Sequence, residues 1–158
     1  MANLIPGTPG TKEAYAISIV KKDYSIRIPP KAFSRCGLSD NDIVLLMTTH
    51  IGEGGVAIIK KEQADESVFK KYVDEIKSIN EIYYYKKRAY SLTKVIEDKI
   101  FFTGEMLNAF NLKIGDKLMV VKSTTIAMSY TPIEIWKEKF RKRGLFEAIE
   151  NMKYLEEY

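Results

Sequence analysis

The sequence predicts an α+β protein that is mainly β, with two copies of one strand-rich unit, each followed by an amphipathic helix. Two observations support this class. Sliding the chain along itself until Ser25 meets Lys99 aligns Ser25–Met47 with Lys99–Val121 without a gap, and the apolar positions coincide. Within the first copy, Tyr24, Ile26 and Ile28 alternate with polar residues, which is typical of a half-buried strand. We therefore expect the two copies to share one backbone plan.

Residues suited to a left-handed backbone also repeat, although their types are exchanged. Gly37 aligns with Asn111, and Asn41 aligns with Gly115. Glycine and asparagine enter positive φ at the lowest cost, so both copies require the same turns at the same places. The repeat is therefore structural and does not merely reflect composition.

Each copy is predicted to run as strand, turn, strand, short helix, strand, hairpin and strand. In the first copy the predicted strands are Tyr15–Val20, Ser25–Ile28, Ile43–Thr48 and Val56–Lys60. Pro29 and Pro30 end the second strand because neither can donate to a ladder, and Pro30 suits the first turn of a helix through Cys36. The first turn is shorter in the second copy, where Asp23 aligns with Asp98, Ser25 aligns with Lys99 and Tyr24 has no counterpart.

Two longer helices are predicted after the copies. From Asp65 to about Lys86 the apolar residues recur with the three-and-four spacing of an amphipathic helix. After the second copy, Thr131 is predicted as the N-cap of a capping box with Glu134, and Gly144 interrupts the helix that follows. These elements divide the chain into a flexible arm at 1–12, a first unit at 13–62, a connecting helix at 63–88, a second unit at 89–130 and a C-terminal helical segment at 131–158.

A single unit of about 45 residues buries too little surface to be stable alone, so we expect the two copies to share one core. They either interdigitate within the chain or each pairs with its equivalent in a second chain. We expect a homo-oligomer, a dimer or higher.

The composition argues against several function classes. The 158 residues include one cysteine, Cys36, which we expect to be a small core residue, and one histidine, His50, beside a glycine-rich loop. The glycines of that loop lack the Lys-Ser/Thr ending of a phosphate-binding loop and fit a hairpin turn. We predict no catalytic site, no metal site and no cofactor. Without a signal peptide or an apolar run long enough to span a bilayer, the protein is expected to be cytoplasmic and not to bind a membrane.

The spacing of several residues resembles a known family. Ile28-Pro29, seven further residues, Gly37-Leu38 and then Asp42 resemble the swapped-hairpin DNA-binding domain of the AbrB/SpoVT/MazE superfamily. Two such units in tandem are similar to the MraZ arrangement. The resemblance implies a β-barrel of interleaved hairpins, sequence-specific binding of double-stranded DNA through basic residues on the early strands and turns, a role in transcription regulation, and oligomerisation.

The second copy departs from this pattern at charged positions. Thr103 replaces Pro29, and Glu105 replaces Lys31. Residues 12–35 carry six cations and two acids, whereas residues 98–121 of the second copy carry three of each. We therefore expect the first copy to bind DNA and the second to keep a structural role. The predicted DNA contacts are Lys21, Lys22, Arg27, Lys31 and Arg35.

Alternatives remain open at this stage. The short helix has Phe33 and Ser34 where AbrB-type regulators have arginines, which favours an antitoxin-like protein interaction or assembly module that uses the fold without DNA. Two further basic runs, Lys86–Arg88 and Lys137–Arg143, are predicted as helix ends whose dipole favours cations. The first run follows three tyrosines and could also stack on single-stranded nucleic acid.

Overall fold

The structure is a computed structural model that describes residues 14–49, 51–123 and 126–158. The arm predicted at 1–12 and His50 lie outside the described residues. The fold is α+β and mainly β. The strands are β1 Ala14–Ile19, β2 Ser25–Arg27, β3 Ile43–Thr48, β4 Val56–Lys60, β5 Ile82–Tyr85, β6 Arg88–Lys94, β7 Lys99–Phe101, β8 Lys117–Lys122 and β9 Ala127–Pro132. The helices are α1 Pro30–Arg35, α2 Lys61–Asp65, α3 Lys70–Val73, α4 Gly104–Ala109, α5 Ile133–Lys142 and α6 Phe146–Asn151, followed by a 3-10 turn at Met152–Tyr154.

Elements of the two halves recur in the same register. When Ser25 is aligned with Lys99, the bounds of β2, α1 and β3 coincide with those of β7, α4 and β8. The backbone φ is 63° at Gly37 and 54° at Asn111, and it is 72° at Asn41 and 91° at Gly115. The exchanged glycine and asparagine residues therefore occupy the left-handed region in both halves, as their chemistry favours.

Strands of the two halves interleave within one chain. A seven-stranded antiparallel sheet has the order β1-β8-β9-β4-β3-β6-β5, and β2 pairs with β7 in a separate ribbon. β1 of the first half pairs with β8 of the second, while β6, the counterpart of β1, pairs with β3. When each of the first six strands is replaced by its counterpart in the other half, the strand order is the same read in reverse. This part of the sheet therefore has an approximate two-fold symmetry.

The predicted barrel is wrong, because the sheet is open. β1 and β5 form its two edges, and no strand pair in the described ranges joins them. At one end of the sheet, backbone hydrogen bonds of 2.8 Å join Ile17 of β1 to Glu156 and Tyr158. At the other end, β5 pairs with β6 and forms the last strand.

Both faces of the sheet are covered, which explains why its central strands are almost continuously buried. The main core lies between the sheet and the β2–β7 ribbon with α1 and α4, and both halves contribute to it. On the opposite face, residues of α3 pack over β3 and β6 around Tyr90, and α5 and α6 pack over β8. The helices that follow each half thus cover strands of both halves.

The connecting helix predicted at 63–88 is wrong. The structure has two short helices there, α2 and α3, and then strand β5. Val73 and Ile76 are buried against the sheet as the helical spacing implied, but Asn80 takes a positive φ of 69° that a helix does not allow. The aromatic residues that follow favour a strand, and β6 offers a ladder to pair with.

The predicted capping box at Thr131 is also wrong. Thr131 is buried within β9, and Pro132, which makes no side-chain cap hydrogen bond, is the N-cap of α5. A capping interaction occurs instead at α4, where the Met106 N–H donates to Thr103 Oγ1 over 3.1 Å. Gly144 separates α5 from α6, as expected.

The glycine-rich loop joins β3 to β4 in a hairpin, as the sequence predicts. Gly55 has a φ of 111°, and a Cβ there would lie 2.6 Å from Thr49 Oγ1 and 2.7 Å from the Tyr130 carbonyl oxygen. Glycine is therefore required by both the backbone conformation and the close packing.

Candidate nucleic-acid interface

The turn between β1 and β2 carries two adjacent lysines. A three-residue loop closes when the Lys21 N–H donates to the Ser25 carbonyl over 2.9 Å, and Tyr24 supplies the left-handed residue with a φ of 65°. Asp23 accepts a 2.6 Å hydrogen bond from the Ser25 hydroxyl, which lowers the pKa of the Asp23 carboxyl. Lys21 and Lys22 are exposed, and neither forms an ion pair with another described residue.

The β2–β7 ribbon presents two cations side by side. Ile26 lies opposite Ile100, and both are fully buried in the main core. Arg27 lies opposite Lys99 in the same register, so these residues share the other face of the ribbon. We call Lys21, Lys22, Arg27 and Lys99 the ribbon surface. Its four cations are opposed by two nearby carboxylates, Asp23 and Asp98.

Arg27 is held by contacts from distant parts of the chain. Its Nε lies 2.7 Å from Asp98 Oδ2, and its guanidinium carbon lies 4.6 Å from the ring centroid of Tyr158. The Arg27 N–H donates to Ser18 Oγ, and its carbonyl accepts a 3.0 Å hydrogen bond from the Tyr130 hydroxyl. Burial raises the pKa of that Tyr130 phenol well above its usual value, so it stays a hydrogen-bond donor. The backbone of Arg27 is therefore fixed, while its side chain remains 39% exposed.

The other two predicted contacts lie on α1. Lys31 and Arg35 are exposed and four residues apart, so they share one face of this helix. Phe33, between them, packs against the main core. Among the described residues no side chain caps the start of α1, where Pro29 is the N-cap.

The structure divides the five predicted contacts into two groups. Because β2 and β7 are antiparallel, the two turns that precede them lie at opposite ends of the ribbon. Lys21 and Lys22 lie at the first turn. Arg27 lies at the other end, opposite Lys99 and paired with Asp98 of the second turn. The residues that flank α1 connect to the second turn, since Ile28 N–H donates to the Asp98 carbonyl and Glu97 N–H donates to Asp40 Oδ1.

The second turn differs in charge from the first. It has a two-residue loop, Glu97-Asp98, closed by mutual hydrogen bonds of 3.0 Å between Ile96 and Lys99. Asp40 adds a third carboxylate, because its Oδ1 accepts a hydrogen bond from the Glu97 N–H. The two loops therefore differ in length and in charge, basic at the first turn and acidic at the second, where Arg27 and Lys99 flank the acidic loop.

Sequence reasoning missed three members of this site: Lys99, Asp98 and Tyr158. The alignment of the two copies could have identified Lys99, because pairing Ile26 with its equivalent Ile100 places Arg27 opposite Lys99. No sequence signal indicates that Tyr158 lies over Arg27, since this contact depends on how the C-terminal residues align with β1.

The two other basic runs are placed differently. Lys86 and Lys87 form the loop of the β5–β6 hairpin, so the helix end predicted there is wrong. Residues Lys139, Arg141 and Lys142 lie in the last turn of α5, as predicted. The ring of Trp136 lies 5.0 Å from Lys139 Nζ.

The remaining features of the described residues concern a thiol, metal binding and membrane spans. Cys36 is half-buried against the main core, and burial raises the pKa of its thiol. Across the described ranges, no group of three His, Cys, Asp or Glu side chains is placed to hold a metal ion. No helix in that part of the chain has the length and apolar character needed to cross a membrane.

Comparisons with known proteins place the chain in no family: no family model matches it, and no curated protein or solved structure is significantly similar.

Proposed function

We propose that the protein is a cytoplasmic, sequence-specific DNA-binding transcriptional regulator, built from two tandem AbrB-like swapped-hairpin units and acting as a homo-oligomer. The ribbon surface, to which the first unit contributes Lys21, Lys22 and Arg27, contacts double-stranded DNA. The second unit completes the fold. The observation that carries this proposal is the two-stranded ribbon whose outer face presents Arg27 beside Lys99.

The interleaved pairing supports the swapped-hairpin assignment. Each half contributes a strand to the edge of the other half's hairpin, through β1 with β8 and β6 with β3. The spacing of Ile28-Pro29 and Gly37-Leu38 that resembles the superfamily falls at the end of the ribbon strand and after α1.

The ribbon has dimensions and charge suited to DNA. A two-stranded β-ribbon fits the major groove, where arginine and lysine donate to guanine edges. Lys21 and Lys22 extend the cationic surface beyond the end of the ribbon and are suited to phosphate contacts. Arg27 is pre-positioned by its backbone, and its partly exposed ion pair with Asp98 is worth at most about 1 kcal/mol, so a phosphate or base can displace the carboxylate.

A second candidate is the protein interaction or assembly module. Two observations favour it: Arg27 is already paired with Asp98, and acidic residues at the second turn adjoin the α1 side of the ribbon. A partner protein would then recognise the two charged ends together.

Selection of bound fragments from genomic DNA tests the proposal, combined with duplex binding at increasing salt. The two phosphate contacts of Lys21 and Lys22 predict a loss of affinity of about 10-fold between roughly 50 and 200 mM salt, which rises to about 100-fold when Arg27 and Lys99 also contact phosphates. Enrichment of a defined sequence supports a regulator. An absence of duplex binding at low salt would contradict it and favour the interaction module.

A further inference from the structure

In the described part of the chain, the outer edge of β5 is the end of the seven-stranded sheet that lacks a covering segment. Its opposite edge, β1, bonds to the C-terminal residues. β5 lies at the end of the sheet and pairs with β6 alone. Its centre, Tyr83-Tyr84, contains no charge or proline of the kind that commonly blocks an exposed edge.

The register of the hairpin shows which backbone groups face outward. Tyr85 pairs with Arg88 across the two-residue loop, and Tyr83 pairs with Tyr90. In such a hairpin the two residues that flank the loop donate to and accept from each other. Farther along the strands, hydrogen-bonded pairs alternate with pairs that are not hydrogen-bonded. The N–H and C=O groups of Ile82 and Tyr84 therefore point away from the sheet, and within the described ranges no backbone hydrogen bond outside the ladder involves them.

The loop of this hairpin carries charge at a conformational cost. Lys86 and Lys87 both have positive φ, 48° and 67°, where Asn-Gly is the favoured pair. Non-glycine residues are disfavoured in this region. Lys86 and Lys87 are exposed, as is Glu81 at the other end of β5, and none of these three forms an ion pair with a described residue.

We propose that β5 pairs antiparallel with β5 of a second copy of this chain, which joins two seven-stranded sheets edge to edge. A two-fold axis perpendicular to the sheet keeps each side chain on its own face. Two registers are then possible. In one, the outward N–H and C=O groups of Tyr84 bond to those of Tyr84 in the other copy; in the second, those of Ile82 bond to those of Tyr84.

Charge complementarity identifies the second copy as the occupant. In either register Glu81 lies opposite or next to the Lys86-Lys87 loop of the other copy, and this contact occurs twice. Tyr84, which is 63% exposed, then lies at or next to the centre of the junction. The pairing does not depend on DNA binding, and it places two ribbon surfaces in one particle.

Sedimentation equilibrium of the full chain tests this proposal. We expect a monomer–dimer equilibrium that Tyr84→Pro abolishes. Proline removes an N–H that faces outward, so the β5–β6 ladder and the circular dichroism spectrum should be retained. A chain that stays monomeric at its highest soluble concentration would overturn the proposal.

Charge variants keep the test decisive if Tyr84→Pro does not fold. The double variant Lys86→Glu/Lys87→Glu and the single variant Glu81→Lys should each weaken self-association by roughly five- to thirty-fold. An equimolar mixture of the two should restore a heterodimer, because both contacts then join opposite charges. Self-association that is unchanged in these variants would contradict β5 pairing, and so would a mixture that does not form a heterodimer. Either result would favour another occupant of the basic loop, such as single-stranded nucleic acid or an acidic partner.

Discussion

The two turns at the ends of the β2–β7 ribbon differ in loop length and in chemistry. Lys22, Asp23 and Tyr24 form the loop of the first turn, whereas Glu97 and Asp98 form the loop of the second. Both turns have a left-handed residue, Tyr24 in the first and Glu97 in the second. The need for a left-handed residue is therefore independent of the charge that the turn carries.

The apolar positions behave in the opposite way. Ile26 and Ile100 are identical in type, opposite in register and fully buried. Packing constrains these residues in both halves, while the exposed positions are free to differ. This difference allows one half to acquire a binding role while the other keeps only its structural one.

Truncating the paired isoleucines should produce the largest effect. Ile26→Ala and Ile100→Ala should each lower the free energy of unfolding by about 2–5 kcal/mol, because each leaves a cavity in the shared core. Urea denaturation followed by circular dichroism measures this loss. A large loss in only one variant would show that the halves are not structurally equivalent.

Removing cations from the ribbon surface should affect DNA binding and leave the fold intact. Lys22→Ala/Arg27→Ala should weaken duplex binding by about 10- to 100-fold and reduce the salt slope by about 2. Fluorescence anisotropy measures both quantities. Lys142→Ala/Lys153→Ala, the same charge change on the helices across the sheet, is the control. Equal effects in both double variants would remove the site assignment.

The starts of the two short helices provide a smaller contrast. Thr103 caps α4 through its hydroxyl, whereas α1 begins at Pro29 without a side-chain cap. Thr103→Ala should lower the free energy of unfolding by about 1 kcal/mol, and Thr103→Ser should retain most of it. Thermal or urea denaturation distinguishes the two variants, and equal losses would show that the hydroxyl has no capping role.

Removing the Asp98 carboxylate that pairs with Arg27 should have the smallest effect on DNA affinity. Asp98→Asn should raise duplex affinity by up to about five-fold, since a partly exposed ion pair is worth at most about 1 kcal/mol. Glu105→Gln on α4 changes the net charge equally and is the control. If both variants bind equally well, the gain reflects net charge and the Arg27–Asp98 pair does not compete with DNA.

Much of the fold could be predicted because the repeat supplies independent evidence at each position. The bounds of β2, α1 and β3 transfer to the second half without change. The segment at 63–88 has no counterpart of this kind. There the spacing of Val73 and Ile76 indicates a helix, but Asn80 ends that pattern, and β6 offers hydrogen bonds that the sequence does not reveal.

The candidate site was predicted less completely. Lys21, Lys22 and Arg27 were identified from charge, and Lys99 followed from the repeat once the ribbon register was known. The contacts of Arg27 with Asp98 and Tyr158 depend on long-range packing. Charge spacing along α1 cannot show that this helix lies near the acidic turn.

Amide chemical-shift mapping of the labelled protein during titration with a duplex tests the central claim most directly. We expect shifts at Lys21–Arg27 and Lys99, with α4 little changed. Shifts centred on α4, or on the β5–β6 hairpin, would contradict the assignment of DNA binding to the first half.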